Sequence, residues 1–594
     1  MRGIVALILT LTAALSAGPA LSAESFLAPA VTQGSLEVTL IPSASVAAGA
    51  SAVVSFGVPF PRGSISEEGL SSLKVSANGI EIPAFVSQLT PWRHRRSPAL
   101  NGASVRIALV QVERPFATVG APIAVSVSWG GAPRTLNRPQ RLTRAETWSP
   151  VNDGGFTVAD NVFEPRVYAV LPRDWLVRGT LRANQTLPFD ASNQNVRDDP
   201  AAMDAILTWP GFTEADRAFK NNFYTVVNRD DPAVTVANQC PFKTAFEPWL
   251  YDRAATMFSL YLRSGSFSAL REAVRNAEFY RARVTANGEF SLKPGDNKYA
   301  FNESLAYAFW LTGDATFLPE INRTADAHNA SPHAWTAALG FWTERMVAFK
   351  LMAHLIAWEV DGAASRSSSI DAIVAALGVH QNGANGAIPA SGRVDGGFYH
   401  LGSQHDGDWD AAAFGGSTWM TALLSDALRR AYPSDETQAL ADTIRRSGAF
   451  FRQSLRTESG QYGVSTRAPR YVVEYDGSDF AQASPLHDEE HALDVSAALA
   501  WADYFGALNG PRDPLLAPAI AQVYLTYDLS VNFWIRPAGP LSGLAAFRVN
   551  PWRKWGWEHR TSDGLSWAML ASSVESPLFA NGFEVLSSKR TVLK

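Results

Sequence analysis

Tyr261-Leu262-Arg263-Ser264-Gly265-Ser266-Phe267-Ser268-Ala269-Leu270 reads as the end of one helix, a tight turn and the start of the next. Gly265 fits the left-handed residue that closes a helix, and Ser266 can cap the helix that follows. The same punctuation returns at FWLTGDATFL, centred on Gly313, and at AWEVDGAASR, centred on Gly362. The steps from 265 to 313 and from 313 to 362 are 48 and 49 residues, and looser echoes stand in AYPSDETQAL near Ser434 and YFGALNGPRD near Asn509. Self-similarity at this period marks helical hairpins that stack because none can bury its apolar face alone. Five or six hairpins predict an α/α toroid, or a shorter solenoid, from about Phe246 to about Leu529. In a closed toroid the chain segments that lead into the inner helices surround one mouth, and chemistry is expected there.

Outward from the helical array the pattern changes. At 594 residues the chain exceeds what one core serves. Residues 24–135 carry period-2 runs (LEVTLIP, AVVSFGV, VRIALVQV, IAVSVSW) separated by Gly, Pro and Ser, the mark of an antiparallel β domain. Residues 136–245 read as a β extension and connector, with strand candidates at RVYAVLP and NFYTVVN. The expected class is multidomain β + α: an N-terminal antiparallel β domain, then a toroid over 246–530. Residues 531–594 read as an irregular C-terminal segment. Its PLFANGFEVLSSKR ending fits either a short sorting tail or a last strand.

Residues 1–23 have the layout of an export signal, with Arg2, an apolar stretch from Ile4 to Leu15, and small residues from Ala20 to Ala23. No other stretch is apolar for long enough to span a membrane. The expected location is secreted or periplasmic, with no transmembrane segment. Cys240 is the single cysteine, so no internal disulfide can form, and it reads as a small buried apolar residue. A formal charge of −5 and a single short basic run, Arg93-His94-Arg95-Arg96, argue against nucleic acid as a partner. Eighteen Trp and 32 Phe serve mainly as core, yet they also supply what a sugar-stacking cleft needs.

Of ten histidines only His94 precedes residue 328, which points the chemistry to the helical part. Three clusters stand out. His328-Asn329 and His333 to Trp335 lie between two helices, followed by Glu344 and Arg345. Tyr399-His400 and Gln404-His405-Asp406-Gly407-Asp408-Trp409-Asp410 lie in a Gly- and Asp-rich excursion, 378–416, long enough to be read as functional. His487-Asp488-Glu489-Glu490-His491 opens a helix and satisfies H-x-x-E-H, an inverted zinc-protease pattern. Five polar residues opening a helix are more simply a solvated first turn, and no third ligand is evident. No metal site is assigned. The alternation of Asp406, Asp408 and Asp410 lacks the Gly and Glu of an EF-hand, since Ala411 and Ser417 stand at those positions; an irregular calcium site stays open.

Toroid clefts commonly serve polysaccharides, and two chemistries compete. A lyase removes the proton α to a uronate carboxylate and expels the glycosidic oxygen, using Asn, Arg or His to neutralise the carboxylate and Tyr or His to move protons. A hydrolase needs two carboxylates across the bond, here Asp406 or Asp408 with Glu489 or Glu490. The residue inventory favours the lyase. His328 and His405 are the first candidates for base or acid, with Tyr299 or Tyr399 as the alternative proton carrier. Asn329 and Arg345 are candidates to neutralise the carboxylate. Trp335 and Trp409 are candidates to stack on sugar, with His400, His487 and Glu489 as further substrate contacts. A non-catalytic glycan-binding surface protein is the third reading.

Phe56-Gly57-Val58-Pro59-Phe60-Pro61-Arg62-Gly63-Ser64-Ile65, followed by Gly102-Ala103-Ser104-Val105-Arg106-Ile107-Ala108-Leu109, resembles the N-terminal domain of the exo-rhamnogalacturonan lyase family. The likeness covers residues 36–115, and beyond it only the order of domains agrees. It implies a small β-barrel before an α/α toroid, and an exported lyase acting on an acidic plant- or alga-type polymer. It assigns no catalytic residue.

Overall fold

The alternating runs of the N-terminal region pair as two antiparallel sheets around one core. The computed structural model describes residues 25–141, 143–188, 241–330, 343–383, 394–405, 409–459, 465–478, 489–537, 547–549 and 553–572. Expectations for the export signal, Cys240, NFYTVVN and the C-terminal ending fall outside these residues. Strands β1 (Gly34–Pro42), β2 (Ser51–Pro59), β3 (Lys74–Ala77), β4 (Ile80–Ile82), β5 (Ala84–Pro91), β6 (Val105–Pro115) and β7 (Ile123–Trp129) come first. They are followed by β8 (Trp148–Pro150), β9 (Phe163–Pro165) and β10 (Val167–Val170), the last formed by the RVYAVLP stretch. One sheet runs β10-β1-β7-β3-β4 and the other β2-β6-β5. In β1, Leu36, Val38 and Leu40 point inward while Glu37 and Thr39 do not, as a half-buried strand requires. In β6 every residue from Val105 to Val112 is buried, because helices cover its second face.

The helical part begins with α1 (Arg253–Ser264) and α2 (Phe267–Arg281), then α3 (Glu303–Thr312) and α4 (Leu318–Ala327). It continues with α5 (Glu344–Asp361), α6 (Ala364–Gln381), α7 (Thr418–Asp435), α8 (Gln438–Gln453), α9 (Ala492–Asn509) and α10 (Leu516–Trp534). Two more helices, α11 (Arg553–Thr561) and α12 (Leu565–Ser572), lie where the sequence reads as irregular. The NPWRKWGWEHR stretch hides its helix because Trp555, Trp557, Glu558, His559 and Arg560 are all buried, so no polar face alternates with an apolar one. The odd-numbered helices touch in sequence, α1 to α3, α5, α7, α9 and α11, and α11 returns to α1. That closes an inner ring of six, with the even-numbered helices outside: an α/α toroid.

The glycines that announce the repeat close the inner helices at one end. Gly265, Gly313 and Gly362 have φ of 67°, 72° and 73°, and each donates its amide to the carbonyl four residues back. The fourth closure is Glu436 at φ 46°, a conformation costly for a side-chain-bearing residue. It is held by Arg62 at 2.6 Å and His94 at 3.3 Å. This end of the ring faces the β domain. A Cβ on Gly57 of β2 would sit 1.7 Å from the Trp310 carbonyl oxygen, so the glycine permits that approach. The basic run of the sequence works here as a clamp. Arg93 donates to the carbonyls of Glu359 and Val360 at the end of α5. Arg95 and Arg96 pair with Asp371 and Asp435. Cations at helix C-termini match the partial negative charge there.

Inside the ring, charges are buried but paired. Arg560 bonds Glu303 at 2.6 Å and Asp426 at 3.0 Å, Arg182 bonds Asp563 at 2.7 Å, and Arg430 bonds Glu359 at 2.6 Å. Burial works to raise the Glu303 pKa, but Arg560, Arg182 and Arg430 outweigh it and bring it down to about 2.

Candidate active site at the open mouth

With one end of the ring closed by the β domain, the N-terminal ends of the inner helices form the other mouth. Tyr251 and the N-cap Asp252 precede α1, Arg345 lies in the first turn of α5, and Trp419 in the first turn of α7. His491 precedes α9, and Trp557 lies on α11. Three of the seven described non-glycine residues with positive φ gather here: Tyr251 (67°), Asp252 (60°) and Thr343 (25°). Strained backbone persists only where its surroundings hold it, and it concentrates at functional sites. The Asp252 carboxylate does part of that holding, accepting from the Ala255 amide at 3.1 Å and from the Ser304 amide of α3 at 3.0 Å.

A small antiparallel sheet lies at the mouth, with β11 (His400–Leu401) beside β12 (Phe414–Ser417), which pairs in turn with β13 (Val472–Glu474). β12 runs directly into α7, so the sheet is anchored to the ring. A Cβ on Gly402 would lie 2.2 Å from the Asp410 carbonyl oxygen, which explains the glycine where the excursion folds back on itself. The turn presents His405 to His400. His400 Nδ1 lies 3.0 Å from Glu344 Oε2, and His400 Nε2 lies 2.9 Å from His405 Nδ1. The His405 ring packs 4.6 Å from Trp409 and 5.8 Å from Tyr471. Burial, then the neighbouring His400 and Arg345, pull the His405 pKa down to about 3, so the ring is neutral across the physiological range.

Arg345, Lys298, Asp296, Thr343, Gln404 and His405 line a cavity of about 190 Å³ together with two methionines. The Arg345 guanidinium lies over Trp419 at 5.2 Å. His491 also stacks on Trp419, at 4.6 Å with an interplanar angle of 9°. The Tyr251 hydroxyl adjoins Arg345; burial pushes it up to about 12 against the pull of that cation, so it stays protonated. A second cavity of about 550 Å³ shares Asp296 and extends along Asn287, Glu289, Asn297, Arg323 and Asp326.

Of the candidates read from the sequence, the structure brings Arg345, His400, His405 and Trp409 together. His328 is not among them: it is fully buried, and its Nε2 contacts the Ala300 carbonyl at 2.9 Å. Burial, only partly countered by that bond, lowers its pKa to about 4. Asn329 is exposed and donates to Asp326. Tyr399 is fully buried and donates to the Val394 carbonyl at 3.0 Å. Tyr299 packs edge-on against Phe246 near the mouth, its pKa raised by burial and then by Asp296, Tyr251 and Glu247. Glu489 and Glu490 are buried at the start of the α9 segment. His491 contacts Asp494 at 3.2 Å. Trp335, His487, Asp406 and Asp408 lie outside the described residues. Among the described residues no group of three His, Cys, Asp or Glu is placed to hold a metal ion. Asp410 accepts from the Ala412 amide.

Sequence reading passed over Tyr251, Trp419 and Tyr471. Tyr251 had a usable signal, since it immediately precedes the N-cap of the first inner helix and so had to lie at the mouth. Trp419 and Tyr471 carried none beyond their aromatic character.

No family model matches the chain, and no curated protein matches it. Among solved structures, the one named Polysaccharide Lyase BACCELL_00875 is similar at 12% identity with a TM-score of 0.25, over 80% of this chain and 64% of that one. The chain thus spans about 64% of that structure's length. So loose an overlap leaves the function to be argued from the residues at the mouth.

Proposed function

We propose that this chain is a polysaccharide lyase that cleaves a uronate-containing polymer by β-elimination. The observation that carries this reading is the convergence of a guanidinium, Arg345, and a neutral imidazole, His405, on the wall of one cavity. In this reading Arg345 pairs with the uronate carboxylate and stabilises the negative charge that builds on it as the adjacent C–H bond breaks. His405 takes that proton on the nitrogen turned away from His400. The electron pair of the C–H bond becomes a C–C double bond, and the glycosidic C–O bond breaks. The protonated His405 then gives that proton to the departing oxygen and returns to its neutral form, so one ring serves first as base and then as acid. No water is consumed. Tyr471, half-buried beside His405, supplies a ring suited to sugar packing.

Hydrolysis fits the site less well, because it requires two carboxylates facing the bond. Among the described residues lining the smaller cavity, Asp296 is the single carboxylate, and Lys298 lies 3.4 Å from it. We place the enzyme outside the cytoplasm on the pattern of residues 1–23. Among the described residues no helix is long and apolar enough to cross a membrane. Mass spectrometry of cleavage products tests the reaction type. Elimination leaves the new non-reducing end one water lighter than hydrolysis does; products carrying that water would exclude the lyase.

A further inference from the structure

We infer that Glu344 and His400 are positioning residues that hold His405 with its proton on Nδ1, leaving Nε2 as the nitrogen that accepts the substrate proton. The inference rests on the lyase reading for the reaction it serves, but its geometry stands on its own.

Glu344 opens α5 directly after Thr343, whose φ of 25° sets the entry into the helix. Its carboxylate is fully buried. Among the described residues neither of its oxygens has a hydrogen-bond partner, and its charged neighbour is His400 Nδ1 at 3.0 Å. That approach is oblique, an electrostatic contact more than a straight hydrogen bond. A buried carboxylate with no other compensation is costly, so its position facing an imidazole needs a reason. The chemistry of the three groups supplies one. With Glu344 ionised and His400 a neutral ring, the His400 proton sits on Nδ1, because a lone pair facing a carboxylate oxygen at 3.0 Å would be repelled. In a neutral imidazole the other nitrogen is then an acceptor, and His400 Nε2 lies 2.9 Å from His405 Nδ1. His405 Nδ1 must therefore be the donor, and its lone pair is on Nε2. Each member fixes the next, as a carboxylate orients the imidazole of a serine-protease triad. When His405 accepts the substrate proton, the Glu344 charge at the other end of the chain compensates the imidazolium. Arg345, which lines the same cavity as His405, opposes a second proton on that ring and so favours its neutral form.

The test uses the full-length chain with isotope-labelled histidine, read by imidazole nitrogen–hydrogen correlation spectra, with His405→Gln identifying the signal. The expected result is an Nδ1-protonated His405. In Glu344→Gln, where the amide can donate to His400 and reverse the chain, the tautomer should change. In the same variant kcat on a cleaved uronate polymer should fall roughly 10²–10⁴-fold with little change in KM, the scale of a wrong-tautomer substitution. An Nε2-protonated His405 in the unaltered protein would overturn the inference, as would full turnover by Glu344→Gln. If Glu344→Gln does not fold, the unaltered spectrum alone decides. A correct tautomer in a protein that cleaves no uronate polymer would sink the lyase reading and leave the ordered pair standing.

Discussion

His405 and His328 share a residue type and opposite surroundings, and their replacements should behave oppositely. His405→Gln should reduce kcat by roughly 10²–10⁴-fold, the usual contribution of a general base, with thermal unfolding near that of the parent. The His328 ring contacts a buried carbonyl instead, so His328→Ala should cost about 1–3 kcal/mol of stability and leave kcat of the folded enzyme unchanged. Melting curves with steady-state kinetics check both. The pH dependence has a definite sign. His405 works as the neutral base, and its pKa is pulled down to about 3. The acid limb of kcat/KM should therefore fall below the ordinary histidine value of about 6.5; a limb at or above it would assign the base elsewhere. Arg345→Ala should abolish turnover of uronate polymers while sparing affinity for neutral oligosaccharides, because the uronate alone presents the charge it pairs with. Arg345, His400, His405 and Trp409 were legible as chemistry-bearing residues in a long excursion and a helix start. The burial of His328 was not, because nothing local to AHNASPH announces that Ala300 will face it.

At the scale of elements, the closing glycines join the two halves of the molecule as well as ending helices. Gly313 has φ 72°, and a Cβ there would meet Leu109 Cδ1 of β6 at 2.3 Å. Gly79 has φ 77° with nothing within 4 Å of its would-be Cβ. Both alanine variants incur the left-handed strain of about 1–2 kcal/mol, but Gly313→Ala must also push aside the buried Leu109 side chain of β6. Chemical denaturation should show Gly313→Ala as clearly the more destabilised of the two; equal losses would mean that the Leu109 contact is soft. The spacing of Gly265, Gly313 and Gly362 made the first three hairpins readable. The fourth closure was legible only as the looser echo AYPSDETQAL, because Glu436, held left-handed by Arg62 and His94, stands where the others have glycine. The sixth inner helix was hidden by burial on all sides, since periodicity records only faces that differ.

For the molecule as a whole, the β domain covers one end of a closed helical ring, paired charges occupy its interior, and the other end holds the cavity. Glu303 titrates in the folded chain near 2, below its ordinary 4.5, because Arg560, Arg182 and Arg430 outweigh its burial. A depressed carboxylate contributes stability that is complete above its unfolded value and lost as pH falls toward the folded one. Unfolding monitored from pH 6 downward should thus show stability falling between about 4.5 and 2, with a weaker slope in Glu303→Gln. An unchanged slope would place the acid sensitivity in other carboxylates. The central claim is elimination at the end of the ring away from the β domain, and its most direct measurement follows the full-length protein on a panel of uronate polysaccharides. Ultraviolet absorbance and new reducing ends are recorded together. A lyase gives both in step, because every cleavage creates a double bond conjugated to the carboxylate. Reducing ends without the absorbance, or binding with neither, would contradict it.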